Sequence, residues 1–128
     1  MEEVHRILKS GGYFVIADVQ ENSNSQRFFD EIVDTHSSTG HEYDFLTPEW
    51  AAQLGAEAGL RLRHSALHLV SRVFWDWEEC LAFFLDLFDL RIGAEALQAS
   101  IERLLAPSSA GAVLSVPFEV AYYVLEKR

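Results

Sequence analysis

A glycine pair followed by an unbroken apolar run places the strongest constraint on this fold. Gly11 and Gly12 directly precede the apolar run from Tyr13 to Ala17, and Asp18 follows it. Glycine ends a helix readily because it adopts the left-handed conformation at little cost. An apolar run without polar alternation is typical of a strand that is buried on both faces, as in a parallel sheet. The segment therefore predicts a buried strand that the chain enters from a helix.

The residues before the glycine pair fit the last turns of such a helix. Val4, Ile7 and Leu8 have the i, i+3, i+4 spacing of one helical face. No capping residue precedes them. We expect the beginning of this helix to lie outside the sequence.

Four helices and two further strands are predicted along the rest of the chain. Two helices have clear start signals: Thr47 is an N-cap before Pro48, with Gly59 at the end, and Asp76 with Glu79 forms a capping box. The predicted helices are 26–35, 48–58, 77–90 and 94–105, and the predicted strands are 61–69 and 116–125. The pattern predicts a single α/β domain over residues 1–128.

Composition excludes several classes of protein. The formal net charge of −10 would repel a phosphate backbone, so we expect no nucleic-acid partner. No apolar stretch is long enough to span a bilayer, so we expect no membrane partner. The single cysteine, Cys80, cannot form an internal disulfide, and no leader-like segment opens the chain. These features predict a cytoplasmic protein.

Three stretches resemble class I S-adenosylmethionine-dependent methyltransferases. Residues Glu3 to Asp18 resemble the segment E-x-x-R-x-L-K-P-G-G that leads into the fifth strand of that family, with Ser10 in place of the usual proline. Residues Leu46 to Leu60 resemble the next helix, which commonly ends in an alanine–glycine pair. Residues Phe118 to Arg128 resemble the seventh strand, which is antiparallel. The resemblance is weakest from Ser71 to Ser115.

The resemblance implies a partial Rossmann-like methyltransferase sheet. The three strands would correspond to strands 5, 6 and 7, with flanking helices and a helical insertion at residues 71–115. In the family, a glycine-rich loop after the first strand and an acidic residue after the second hold S-adenosylmethionine. Gly11-Gly12 is not that loop, because it precedes a strand instead of following one. We therefore expect no cofactor-binding residues here and no S-adenosylmethionine binding by this chain alone.

A few polar residues are candidates for the substrate side of a site. Asp18 follows a strand at the end where ligands bind in open parallel sheets, although we favour a carboxylate that caps a loop or lies in solvent. His36 and His41 are weak candidates for a catalytic base, and Tyr43 is a substrate-side candidate. An exposed polar loop is the interpretation we favour for these last three. The two histidines lack the helical spacing of a metal site, so we expect no metal.

Two other features are better explained by packing than by chemistry. Cys80 lies near a helix start, which can activate a thiol, but its place beside an apolar face favours a buried structural thiol. A set of aromatic residues between positions 74 and 88 could form either a substrate lid or part of a packed core, and we favour the core. This set comprises Phe74, Trp75, Trp77, Phe83, Phe84 and Phe88.

The sequence predicts the C-terminal, substrate-side portion of a small-molecule methyltransferase that is inactive alone. Alternatives are a non-catalytic, self-associating α/β module or remnant, and an unrelated α/β binding protein. An unpaired edge on the strand from Tyr13 to Ala17 would favour a homodimer, and a separate N-terminal half is a second possible partner. The methyl acceptor and the atom methylated are left open.

Overall fold

The computed structural model describes residues 1–40 and 44–128, which form a mixed α/β structure. The helices are α1 (Glu2–Ile7), α2 (Asn24–Phe28), α3 (Asp34–His36), α4 (Pro48–Glu57), α5 (Trp77–Leu87) and α6 (Ala94–Leu105). A π-helical segment, Phe29–Val33, joins α2 to α3. The strands are β1 (Tyr13–Val19), β2 (Leu60–Phe74), β3 (Ser108–Ala110) and β4 (Val113–Lys127). No helix of the described ranges is long and apolar enough to cross a membrane.

The last strand in the chain is the centre of the sheet. The order is β1–β4–β2, and β3 pairs with the start of β4. β4 is antiparallel to both β1 and β2, so these two run in the same direction on either side of it. Tyr123 of β4 lies between Ile16 of β1 and Ser65 of β2. A bulge interrupts the pairing of β2 between Leu62 and His64.

Helices cover both faces of the sheet, but towards opposite ends of β4. On one face, Ala121 and Tyr123 are buried against Ala51 of α4, and we name this the α4 face. On the opposite face, Leu114 and Val116 are buried beneath α2, α5 and α6. The larger of the two cores lies there, and its fully buried members include Phe28, Phe84, Leu97, Ile101 and Val116.

The predicted helix starts are confirmed by the hydrogen bonds at their caps. Thr47 Oγ1 accepts from the Trp50 amide at 3.1 Å, with Pro48 in the first turn. Asp76 Oδ1 accepts from the Glu79 amide at 2.9 Å. Glu79 Oε2 accepts a hydrogen bond from the Trp75 amide at 2.7 Å. In a capping box this bond comes from the amide of the N-cap, here Asp76, so the observed donor lies one residue earlier. Gly59, with φ of +74°, ends α4 as predicted.

The prediction that the first strand is buried on both faces is wrong for the described structure. Tyr13 is 57% exposed and Val15 is 54% exposed, whereas Phe14 and Ile16 are partly buried on the α4 face. The reason is that α4 covers only one side of this end of the sheet. We name the uncovered apolar surface the open patch, and it comprises Tyr13, Val15, Tyr122 and Val124.

The predicted boundaries of the second half of the chain also need correction. β2 continues to Phe74, five residues beyond the predicted end at Leu69, because Val70 to Phe74 find partners in β4. Residues 71–115 therefore contain two helices, as predicted, but begin and end in strand. The predicted helix over 26–35 is divided between α2, the π-helical segment and α3.

Candidate functional site

An apolar cleft of about 210 Å³ lies between the sheet and α5, on the face opposite α4. Its floor contains one or two residues from each of three strands: Val19 of β1, Phe118 and Val120 of β4, and Val70 and Arg72 of β2. Its walls are Phe29 of the π-helical segment and Phe83, Leu87 and Phe88 of α5. The register places all the floor residues on one face, since Val19 is opposite Val120 and Val70 is opposite Phe118.

Hydrogen bonds and aromatic contacts fix both walls of the cleft. The Ser25 hydroxyl oxygen, in the first turn of α2, accepts from the Glu119 amide at 2.9 Å. The Glu119 carboxylate accepts from the amide of Asn24 at 2.9 Å, which holds the start of α2 against β4. On the other side, the ring of the fully buried Phe84 stacks on Phe118, with ring centroids 5.8 Å apart. Phe29 and Phe88 meet edge to face at 5.3 Å and join the two walls.

The cleft lies on a face of the sheet, near the carboxyl ends of β1 and β2. Val19 is the last residue of β1, and Val70 and Arg72 lie near the carboxyl end of β2. Open α/β sheets bind ligands beyond the carboxyl ends of their strands. A second groove, of about 490 Å³, lies at the amino end of β2 around Leu60 and Arg61. Position and aromatic lining favour the first cleft as the candidate site.

Arg72 is the charged side chain of this cleft. Its guanidinium carbon lies 5.5 Å from the centre of the Phe83 ring, in a cation–π contact. The ion pairs in residues 1–40 and 44–128 involve other arginines and leave Arg72 without a carboxylate. A guanidinium that stacks on an aromatic ring keeps its N–H groups free at the edge. The cleft therefore combines apolar walls with one available positive charge.

Asp18 does not line this cleft. It is opposite Ala121, so it belongs to the α4 face, and its Oδ1 accepts from the Val19 amide at 2.7 Å. The carboxylate thus makes the local backbone contact that was the alternative interpretation of this residue. Burial, and then the charges of Asp18 and Glu49, raise the pKa of the Tyr123 hydroxyl, which donates to the Leu46 carbonyl at 3.1 Å.

Of the remaining predicted site residues, the structure describes only His36. His36 ends α3, and its carbonyl accepts from the Arg91 amide at 2.9 Å, away from the cleft lining. His41 and Tyr43 lie outside the described residues. No group of three or more potential metal-ligating side chains occurs where the structure describes the chain.

The packing interpretations of Cys80 and of most aromatic residues are confirmed. Cys80 is fully buried, and burial, with the nearby Glu79 charge, raises the pKa of its thiol to about 11. Phe74 and Phe84 are core residues, whereas Trp75 is 74% exposed. Phe83 and Phe88 pack on the core and also line the cleft, so packing and site formation are not exclusive for them.

The described residues do not provide the glycine-rich turn after a strand that the family resemblance implies for S-adenosylmethionine. Two connections lead from a strand to a helix, residues 20–23 after β1 and residues 75–76 after β2. Neither contains glycine. Glycine in such a turn lets the backbone approach a bound cofactor closely, because it has no side chain to keep the two apart. The residues in the described ranges therefore do not fit this cofactor.

Sequence reasoning singled out Phe83 and Phe88 but missed the other residues that line the cleft. Arg72 lies beyond the predicted end of the second strand, although the alternation of Val70, Arg72 and Phe74 was a usable signal. Phe29 and Phe118 are distant in sequence, and no local pattern indicates that they meet.

Comparisons with known proteins support a fold and leave the family open. No protein-family model matches the chain, and no curated protein sequence matches it. Among the solved structures that match is a crystal structure from Bacillus halodurans C-125, named a "putative methyltransferase". It is 18% identical, with a TM-score of 0.55, and the match covers 98% of this chain and 55% of that one. The chain therefore has a methyltransferase-like fold and spans about half the length of this structural neighbour.

Proposed function

We propose that this chain is the C-terminal, acceptor-side portion of a class I S-adenosylmethionine-dependent methyltransferase that acts on a small molecule. The cofactor site would come from a segment outside this sequence, and residues 1–128 would be inactive alone. The observation that carries the proposal is the strand order β1–β4–β2 with an antiparallel centre. This arrangement fits strands 5, 7 and 6 of a partial Rossmann-like sheet, in which the fifth strand lies beside the antiparallel seventh.

The exposed apolar surface of β1 is a second support. Tyr13 and Val15 are more than half exposed on a strand whose described partner is β4 alone. In a complete sheet of this kind, the fifth strand would have a further neighbour on its free edge. The fold match also extends over only 55% of the neighbouring structure. Both observations fit a fold that is completed by additional chain.

Titration calorimetry with S-adenosylmethionine tests the proposal. Residues 1–128 should bind no cofactor at micromolar affinity, whereas a protein extended by the upstream reading frame should bind it. The extended protein should also transfer a tritiated methyl group to a small molecule from a cell extract. Micromolar binding by residues 1–128 would contradict the assignment of the cofactor site to another segment.

A second candidate function is a non-catalytic module that self-associates, and the free edge of β1 favours it. An unpaired strand edge beside apolar surface favours pairing with a second copy of the chain. A two-fold axis would place the apolar patch of one copy against the same patch of the other. In the described residues, α5 contacts β2 and α6 contacts β4 and α2, while Tyr13 and Val15 of β1 remain exposed. We propose a homodimer that forms through β1 when no N-terminal half is present.

Light scattering over a dilution series tests the homodimer. The wild-type chain should give a dimer mass at high micromolar concentration. Val15→Lys places a charge on the half-exposed strand and should give a monomer, because lysine on an edge strand blocks pairing. Val73→Lys is the matched control, since Val73 is 62% exposed on β2, the other edge strand, and a dimer through β1 should tolerate this substitution. A monomer mass for the wild type rules the homodimer out.

A further inference from the structure

We propose that the cleft beneath α5 binds a compact aromatic carboxylate, with its ring between the phenylalanine walls and its carboxylate on Arg72. The proposal rests on the proposed function only for the role of this ligand as the methyl acceptor. The binding itself requires only residues of this chain.

The size of the cleft limits the apolar part of the ligand. An engineered cavity of about 150 Å³ lined by aliphatic and aromatic side chains holds benzene. The present cleft, of about 210 Å³, has room for one such ring and a short substituent. Pockets for drug-sized ligands are larger, at about 300–1,000 Å³, so the cleft suits a compact ligand better than a fused polycyclic one.

The walls suit an aromatic ring better than an aliphatic one. Phe29 and Phe88 already pack edge to face, and Phe83 presents its ring beside them. Aromatic rings prefer offset or edge-to-face neighbours with centroids at about 4.5–7 Å. A ligand ring placed among these three would adopt the same geometry.

Arg72 determines the charge of the ligand. Its guanidinium stacks on Phe83 at 5.5 Å and lies at the floor of the cleft, without an ion-pair partner in the described ranges. The free N–H edge of an arginine matches the two oxygens of a carboxylate. The net charge of −10 disfavours a ligand with several negative charges, so a monoanion fits better than a phosphate ester.

Titrations of residues 1–128 with phenylacetate and with neutral phenylacetamide test the proposal. With methyl-labelled valine, phenylacetate should shift the NMR signals of Val19, Val70 and Val120, which line the cleft, and leave that of Val124 unchanged. Phenylacetate should bind more tightly than phenylacetamide. Equal binding of the two ligands, or shifts confined to other residues, would overturn the proposal.

Two arginine variants on the same strand separate the local charge from the overall charge. Arg72→Gln should weaken phenylacetate binding roughly three- to fivefold, the size expected for a solvent-exposed ion pair. Arg72→Gln should leave phenylacetamide binding unchanged. Arg61→Gln removes the same charge from β2 outside the cleft and should have no effect on either ligand. Equal effects of the two substitutions on phenylacetate binding would mean that Arg72 acts only through the net charge of the protein. That result would overturn its role as the residue that binds the carboxylate.

The outcome of these binding experiments does not depend on the proposed methyltransferase function. Cleft-specific binding of phenylacetate together with a failed methyl-transfer assay on the extended protein would refute the enzyme and leave the binding site standing. Methyl transfer by an extended protein whose cleft binds neither ligand would refute the ligand assignment alone.

Discussion

Gly55→Ala should destabilise the protein even though alanine is the better helix former. Gly55 is buried in α4, at the point where this helix packs against β4. A Cβ atom at this position would lie 2.5 Å from Leu125 Cδ2 and 3.4 Å from the Leu60 carbonyl oxygen. Leu125 is fully buried, so its side chain has no solvent to rotate into. The added methyl group must therefore push the helix away from the sheet or force Leu125 out of its rotamer.

Two opposing free energies determine the size of the effect. Replacing glycine by alanine inside a helix stabilises it by about 0.5–1 kcal/mol. An extra carbon in a tightly packed core costs about 1–3 kcal/mol. The free energy of unfolding should therefore fall by about 1 kcal/mol in the Gly55→Ala variant. Urea denaturation followed by tryptophan fluorescence measures this change, since Trp50 lies in the same helix.

Two further variants identify the cause. Ala56→Gly changes an exposed neighbour in α4 and should destabilise by about 0.5–1 kcal/mol through helix propensity alone. In the Gly55→Ala/Leu125→Val double variant, the smaller side chain makes room for the methyl group. Its loss of stability should be smaller than the sum of the two single losses by about 1 kcal/mol. A Gly55→Ala protein that is more stable than wild type would refute the steric argument.

Three other predictions concern single groups. Thr47→Ala should lower the free energy of unfolding by about 1 kcal/mol through loss of the cap on α4, and an unchanged denaturation midpoint would contradict this role. Tyr123→Phe should cost about 1 kcal/mol in the same assay, because the Leu46 carbonyl loses its buried donor. The Cys80 thiol should not react with a thiol reagent in the folded protein. Its pKa is raised to about 11 from an ordinary value of 9.0, so the protonated thiol stabilises the fold below pH 9 and this contribution is lost as the pH rises towards 11. Over that pH range, the free energy of unfolding should therefore fall less for Cys80→Ala than for the wild type. Identical profiles of stability against pH for the two proteins would contradict the raised thiol pKa.

Features encoded by neighbouring residues could be predicted from the sequence. The caps at Thr47 and Asp76 depend on side chains that reach amides three residues away, so their local pattern is sufficient. The four buried apolar positions of α6 follow from helical periodicity in the same way.

Features that depend on distant partners could not be predicted. The extension of β2 to Phe74 requires the first residues of β4 as partners, some forty positions later. The exposure of Tyr13 and Val15 depends on which face receives a helix, and an unbroken apolar run carries no information on that choice. The cleft was missed for the same reason, because Phe29, Phe83 and Phe118 come from three distant segments.

The central position of the last strand has a consequence for the synthesis of this protein. β1 and β2 do not pair with each other, and each depends on β4, which ends at Lys127. At translation rates of roughly 5–20 residues per second, Tyr13 waits about 5–20 s for its partner Glu126 to be made. Pairing of β1 and β2 with β4 must therefore wait until β4 has been made, and during this interval neither strand has its described hydrogen-bonding partner. Such strands are exposed to aggregation on the ribosome, where we expect chaperones to bind this chain.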